Sequence, residues 1–209
     1  MPRPRTVPDA QVLAAALRAI SRVGPGKLTL ADVGREAGLS PATLVQRFGS
    51  KRGLLLALAE SAAGSVEECF ARARAASPSP LAALISAATE MSRYTRSPEE
   101  MANHLAYLQI DFSDPDFHRL LLESSRQSLA GYRRLLDEAV AAGELVRCDT
   151  ARLARVVAAL SGGSMIVWAV FGQGTAERWA KDDLATLLDG YRPPRARGRP
   201  KRISARRRR

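Results

Sequence analysis

Thr29-Leu-Ala-Asp-Val-Gly-Arg-Glu-Ala-Gly-Leu-Ser-Pro-Ala-Thr-Leu-Val-Gln-Arg-Phe-Gly-Ser-Lys51 is the stretch on which the fold of this chain turns. Thr29 can cap a helix, and Asp32 three residues on completes a capping box. Leu30, Val33 and Ala37 then share one face, and Gly38 stands where a left-handed residue ends a helix, with Leu39 as the apolar contact beyond it. Ser40 caps a second helix and Pro41 takes its first position, where a missing N–H costs nothing. Leu44 and Phe48 point inward from that helix; Ala42, Thr43, Gln46 and Arg47 point outward. Two helices this short cannot bury themselves, so the pattern predicts a third partner. The preceding segment supplies it: Asp9 is expected as N-cap, Leu13, Leu17 and Ile20 follow at helical spacing, and Gly24-Pro25-Gly26 stops the helix.

A helix held proud of such a three-helix unit fits the major groove of DNA. There Thr and Gln can hydrogen-bond base edges and small apolar groups can meet a thymine methyl. The charge distribution agrees. Residues 1–52 carry a net +6 and residues 192–209 a net +10, whereas residues 53–191 carry −5. Two basic ends on an acidic middle imply a polyanion held at one side.

From Val12-Leu-Ala-Ala-Ala-Leu17 to Phe48-Gly-Ser-Lys-Arg-Gly-Leu-Leu55, over about residues 12–58, the chain resembles the TetR family of bacterial regulators. The resemblance implies that Thr29 and Lys51 grip phosphates, Thr29 partly through N–H groups at its helix start. It also implies that Ser40, Pro41, Ala42, Thr43, Gln46 and Arg47 line the DNA-facing edge. Family members commonly carry a Tyr that touches a phosphate where Val45 stands here, and a His where Arg47 stands; the two changes can exchange one phosphate contact for another. Without the resemblance, Thr29 is a cap that any helical protein needs, Lys51 starts a helix, and Thr43, Gln46 and Arg47 form a solvated face.

Beyond residue 52 the chain reads as helical throughout, with segments near 51–75, 80–96, 98–110, 115–142, 150–171 and 175–190. Ser77-Pro78-Ser79-Pro80, Ser97-Pro98 and Asp114-Pro115 punctuate them, and no segment alternates as a strand would. The expected fold is all-α: a helix-turn-helix domain with a basic arm at 1–52, a helical ligand-binding and dimerisation domain at 53–191, and a basic tail at 192–209 too charged to pack. The segment near 150–171 turns apolar on nearly every side, and 17 uncharged residues from Val156 to Gly172 reach the short limit for a membrane span. A helix buried on most of its circumference, with no membrane, is the expectation. The family resemblance implies a four-helix dimer interface from the last two helices, here Gly162, Gly163, Ile166, Trp168, Trp179, Leu184 and Leu188. It also implies a pocket in the middle helices for a small effector, expected to be apolar or amphipathic in so Ala/Leu-rich a body. Its candidate polar residues are His104, Tyr107, Gln109, Arg126 and Gln127, each of which also reads as a surface or satisfied core group.

In the tail, Arg197-Gly198-Arg199-Pro200 resembles the core of an AT-hook, whose arginines enter a narrow A·T minor groove. A generic basic tail that only neutralises phosphates is the equal alternative. Cys69 and Cys148 form no disulfide framework, no signal-peptide pattern is visible, and a bacterial cytoplasmic, nucleoid-associated protein is expected. His104, His118, Cys69 and Cys148 lack metal-ligand spacing, and no phosphate-binding Gly loop or nucleophile elbow is present. No enzyme, cofactor or metal is therefore expected. The resemblance implies a ligand-responsive regulator, a repressor released from a palindromic operator by an effector or, less often, an activator; the alternative is an architectural DNA-binding protein acting through its tail.

Overall fold

A computed structural model describes residues 7–194, which form ten α-helices and a 3-10 turn, with no strand among the described residues. The helices are α1 (Asp9–Lys27), α2 (Leu30–Ala37), α3 (Pro41–Phe48), α4 (Lys51–Gly64), α5 (Val66–Ala76), α6 (Pro80–Ala88), α7 (Pro98–Ser113), α8 (Pro115–Ala141), α9 (Thr150–Phe171) and α10 (Ala176–Asp189). Their starts follow the capping chemistry. Ser50, Ser79, Ser97, Asp149 and Thr175 each accept a backbone N–H in the first turn of the helix they open. Asp9 is a correction: it is the first helical residue of α1, and Pro8 occupies the cap without a side-chain bond. Leu17 is another, since it faces solvent while Val12, Leu13, Ala16, Ala19 and Ile20 are buried.

Three other boundaries differ from the sequence reading. The helical path of α1 continues to Lys27 across a kink at Gly24, whose φ is 77°. The segment expected as one helix over 51–75 breaks at Ser65, whose hydroxyl donates to the Ala62 carbonyl. The helix expected to reach residue 96 ends at Ala88 and gives way to the 3-10 turn Met91–Arg93. There the Thr89, Ser92 and Thr95 hydroxyls donate to the carbonyls of Ile85, Thr89 and Met91, offering the backbone an alternative to a regular helix.

The apolar residues gather in three clusters. The head cluster joins Val12, Leu13, Ala19 and Ile20 of α1 to Val33, Leu44, Leu54, Leu55 and, from the start of α8, Phe117. The body cluster joins Phe70, Leu84, Leu135, Leu136, Leu153, Val157, Leu184 and Leu188. A third, small one holds Met101, Met165, Trp168 and Ala176. The boundary expected at residue 52 thus falls inside α4, whose Leu54 and Leu55 belong to the head's core. α8 runs from one main core into the other. Its inward residues at both ends are buried, whereas Leu121, Ser124, Gln127 and Ser128 between them are only half-buried.

α9 departs most from expectation. It is long and apolar enough to cross a membrane by length and composition, yet only 33% of that stretch is buried in the protomer. Val156, Ile166, Val167, Val170 and Phe171 are exposed, Val170 by 79%. The helix is therefore not buried on most of its circumference; one side packs inward through Leu153, Val157, Met165 and Trp168, and the other carries an uncovered apolar stripe.

Candidate nucleic-acid interface

The helix-turn-helix is built by short-range rules that its own residues satisfy. The Thr29 hydroxyl accepts the Asp32 N–H at 3.2 Å, while the Asp32 carboxylate accepts the Thr29 N–H at 2.9 Å. The Thr29 hydroxyl also donates to that carboxylate at 2.6 Å, and these bonds hold the Asp32 carboxyl below its ordinary range. Gly38 adopts the left-handed conformation at φ 68°, and the Leu39 N–H donates to the Gly34 carbonyl at 2.9 Å. α2 and the turn approach so closely that a Cβ on Gly34 would lie 2.5 Å from the Leu39 carbonyl oxygen. Ser40 then caps α3 by accepting the Thr43 N–H at 3.1 Å.

α3 is anchored by Leu44, which is wholly buried, and by half-buried Phe48. Pro41, Ala42, Val45 and Gln46 form its exposed edge, the spacing of one helix face. Thr43 is half-buried, with its hydroxyl 2.8 Å from that of Ser40, so Thr43 and Ser40 lock the start of the helix together. Arg47 is a correction. Instead of standing outward it is half-buried and turns back to the first turn of α1, where its Nη1 lies 3.5 Å from Asp9 Oδ1 without a hydrogen-bond partner. It follows Leu44 by three residues and so flanks the inner face. Held there, Arg47 is turned away from the exposed edge that carries Val45.

Thr29 is exposed beside the start of α2, and Lys51 lies at the start of α4, where its ammonium donates to the Gly26 carbonyl at 3.2 Å. That bond uses one of three ammonium donors and fixes the side chain near the loop before α2. The structure thus brings Thr29, Ser40, Pro41, Ala42, Gln46 and Lys51 into one N-terminal head, with α3's free edge facing solvent.

Sequence reasoning missed the residues that seat this head on the body. Arg52 sits one position after Lys51 and pairs with Asp114 at 2.8 Å and Asp116 at 2.7 Å, its guanidinium 5.6 Å from the centre of the Phe117 ring. The two acids open α8, so the pair ties α4 to α8. The Asn103 amide donates to the Ser21 carbonyl at 2.8 Å, His104 lies 3.1 Å from the Ser21 hydroxyl, and the Tyr107 hydroxyl donates to the Leu55 carbonyl at 3.2 Å. Burial lowers the His104 pKa and raises those of Tyr107 and Asp111, the latter to about 6. The only hint in the sequence was the grouping of polar residues on one side of α7.

His104 and Tyr107 therefore take part in the head–body contact. Gln109 and Arg126 are exposed, and only Gln127 lies on the half-buried inner face of α8. None of the five lines the open depression of about 570 Å³ between α8 and α9, bordered by Ala130, Arg133, Arg134 and Arg155.

The expected dimer residues also divide. Trp168, Leu184 and Leu188 are corrections, because they are buried within the protomer and cannot meet a second copy. Trp179 is half-buried and stacks on Phe171 with ring centres 5.7 Å apart. Gly162 and Ile166 are exposed and Gly163 is half-exposed; a Cβ at either glycine would meet nothing within 4 Å. Arg197, Gly198, Arg199 and Pro200 lie outside the described residues, as does the arm before Val7.

Comparison with known proteins follows the same pattern. Residues 12–58 match the family described as bacterial regulatory proteins, tetR family. The chain is 32% identical over 155 residues to the HTH-type transcriptional regulator BetI of Agrobacterium fabrum, spanning 73% of this chain and 72% of that protein. It is also 32% identical over 116 residues to BetI of Rhizobium meliloti, where the match spans 54% of this chain and only a little over half of the relative, 56%. Among solved structures, a TetR transcription regulator from Haloarcula marismortui superposes with a TM-score of 0.70 at 15% identity, covering 88% of this chain and 98% of its own. The regulator FadR from Bacillus subtilis, solved with stearoyl-CoA, superposes at 0.62 with 16% identity, covering 87% and 98%.

Proposed function

The chain belongs to the TetR family of DNA-binding transcriptional regulators, and we propose that it is a repressor, released from a palindromic operator when a small molecule enters its body. The observation that carries the release mechanism is the course of α8. Its first turn is part of the head's core through Phe117 and is tied to α4 by Arg52, while its middle, at Leu121, Ser124, Gln127 and Ser128, is incompletely covered. A ligand seated against that half-buried stretch shifts α8, and α8 carries the head with it. The mixture of Leu, Ser and Gln there suits an amphipathic molecule, as does the stearoyl-CoA held by FadR.

Dimerisation follows from the uncovered stripe of α9. Val156, Ala159, Gly163, Val167 and Val170 recur at helical spacing on the exposed side, and the open glycine pair lets a second backbone come close. A two-fold pair of heads reads two half-sites, which one short helix cannot do alone. In this reading Pro41, Ala42 and Gln46 face bases, Thr29 and Lys51 face phosphates, and the protein works in the bacterial cytoplasm on the nucleoid.

The test is selection of bound fragments from genomic DNA, followed by release measured with stearoyl-CoA and shorter amphipaths. A discrete palindrome, released by at least one amphipath with a response altered by Gln127→Leu, supports the reading. Operator binding insensitive to every amphipath contradicts it. A Val167→Glu variant that elutes as a monomer and loses the palindrome supports the α9 interface; one that stays dimeric contradicts it.

A further inference from the structure

Among the described residues, two buried side-chain polar atoms have no hydrogen-bond partner, Arg47 Nη1 and Ser164 Oγ. Arg47 has the Asp9 carboxylate 3.5 Å away. Ser164 is only 2% exposed, and its hydroxyl is left over. Its neighbours in the body return theirs to the backbone: Ser161 of α9 donates to the Val157 carbonyl at 2.8 Å, and Ser124 of α8 to the Leu121 carbonyl at 3.0 Å. A buried hydroxyl without a partner costs the fold its full desolvation, so native structures contain few of them.

Two contacts fix where Ser164 lies. Thr150 at the start of α9 donates to Asp137 of α8 at 2.6 Å, and Tyr132 of α8 lies beside Ser161 of α9, so the two helices run antiparallel. Ser128 precedes Tyr132 by four residues and Ser164 follows Ser161 by three, one helical turn in each case. Ser164 is thereby set opposite the half-buried stretch 121–128 of α8. Val157, Ser161, Ser164 and Trp168 share one face of α9, and Trp168 clusters with Met101 of α7. Neither helix brings a charge to this contact. The α8 residues in register are Leu121, Ser124, Ser128 and Tyr132, and α9 is uncharged from Val156 to Gly172. An ion there would be desolvated without a counter-charge, whereas a neutral oxygen meets hydroxyls that can donate or accept.

We propose that Ser164 is the polar anchor of the effector site, and that the effector is an apolar molecule carrying an uncharged oxygen, as an alcohol, ketone, ester or thioester does, which bonds to Ser164 Oγ. The proposal rests on the effector seating against the middle of α8, as set out above. A ligand arriving there finds a donor with no existing bond to break, so the whole hydrogen bond contributes to affinity. Any charged headgroup on the same molecule stays outside in water.

The experiment uses the full chain and four probes of one chain length: decanol, methyl octyl ketone, decanoate and decylammonium. Binding is read from the ligand-induced shift in melting temperature, and release from fluorescence anisotropy on the selected operator. The alcohol and the ketone are expected to bind and release, and the two ions to bind about tenfold or more weakly. Ser164→Ala is expected to melt at or above wild type without ligand and to bind the neutral pair about tenfold more weakly. Ser161→Ala, whose hydroxyl already has a backbone partner, should bind them as wild type does. Ions that bind as tightly as the neutral pair overturn the ligand class. Undiminished binding by Ser164→Ala overturns the anchor, as does a Ser164→Ala protein that melts clearly below wild type, since the hydroxyl would then hold the fold. Neutral probes that bind through Ser164 without releasing the operator sustain the anchor and overturn the release reading alone. Four probes that neither bind nor release overturn both.

Discussion

Replacing Gly34 by Ala sets two effects of opposite sign against each other. In a helix interior Ala is favoured over Gly by about 1 kcal/mol, so propensity alone makes the variant more stable. In this fold the added Cβ would lie 2.5 Å from the Leu39 carbonyl oxygen. An ordinary carbon–oxygen approach is about 3.3 Å, so the turn must move by about 0.8 Å. It cannot do so freely, because Leu39 sits between left-handed Gly38 and the Ser40 cap, with its own N–H bonded to Gly34. Overpacking of this kind costs about 1–3 kcal/mol, which leaves Gly34→Ala destabilised by about 1 kcal/mol. For a chain of this size that lowers the melting temperature by about 2–4 °C. Operator affinity should fall by more than the stability change suggests, since the displacement lies at the start of α3; losing one well-aligned base contact alone is worth about 1–3 kcal/mol, roughly fivefold or more. Gly64→Ala is the control: it has nothing within 4 Å of its Cβ and should gain about 0.5 kcal/mol. The assays are calorimetric melting and fluorescence anisotropy on the selected operator. A Gly34→Ala protein that melts above wild type and binds as well would refute the close-approach argument.

Leu44→Ala, removing the wholly buried anchor of α3, should cost about 2–5 kcal/mol and abolish operator binding; retention of both helicity and affinity would show that α3 is held otherwise. Asp111, half-buried near the end of α7, binds its proton more tightly in the folded chain, with a pKa raised from 3.8 to about 6 by burial. Its contribution is fully present below about pH 4 and is lost as pH rises through about 6. Asp111→Asn should therefore flatten the fall in unfolding free energy between pH 4.5 and pH 7, by about 1 kcal/mol once solvent screening is allowed for, as read from denaturant melts at each pH. An unchanged pH profile would remove Asp111 from the account. Val45→Tyr adds an exposed hydroxyl on the DNA-facing edge and should tighten operator binding about fivefold, the worth of one hydrogen bond. A large loss would show that this site is not simply short of a phosphate contact.

The sequence carried the parts of the fold that are decided within one turn of helix. Thr29 with Asp32, Gly38 in its left-handed turn, and Ser40 before Pro41 are local matches between a side chain and the nearest backbone, and each appears as the residues dictate. What could not be read is whatever depends on a distant partner. Arg47 looks like any solvated arginine until α1 brings Asp9 beside it. His104 and Tyr107 look like any polar side chains until α7 brings them to Ser21 and Leu55 of the head. Trp168, Leu184 and Leu188 were correctly apolar, yet periodicity says only that a face is covered, not whether the cover is the same chain or a second copy. The same ambiguity made α9 look buried when its outer stripe, Val156 to Val170, is open.

The most direct test of the central claim is selection of DNA from a random pool by the wild-type chain and by Gln46→Ala in parallel. If the exposed edge of α3 reads bases, the wild type enriches a palindrome and Gln46→Ala relaxes preference at one symmetric pair of positions while leaving the rest intact. A wild type that enriches no discrete sequence, or a Gln46→Ala variant that selects the same palindrome with undiminished preference at every position, would contradict it.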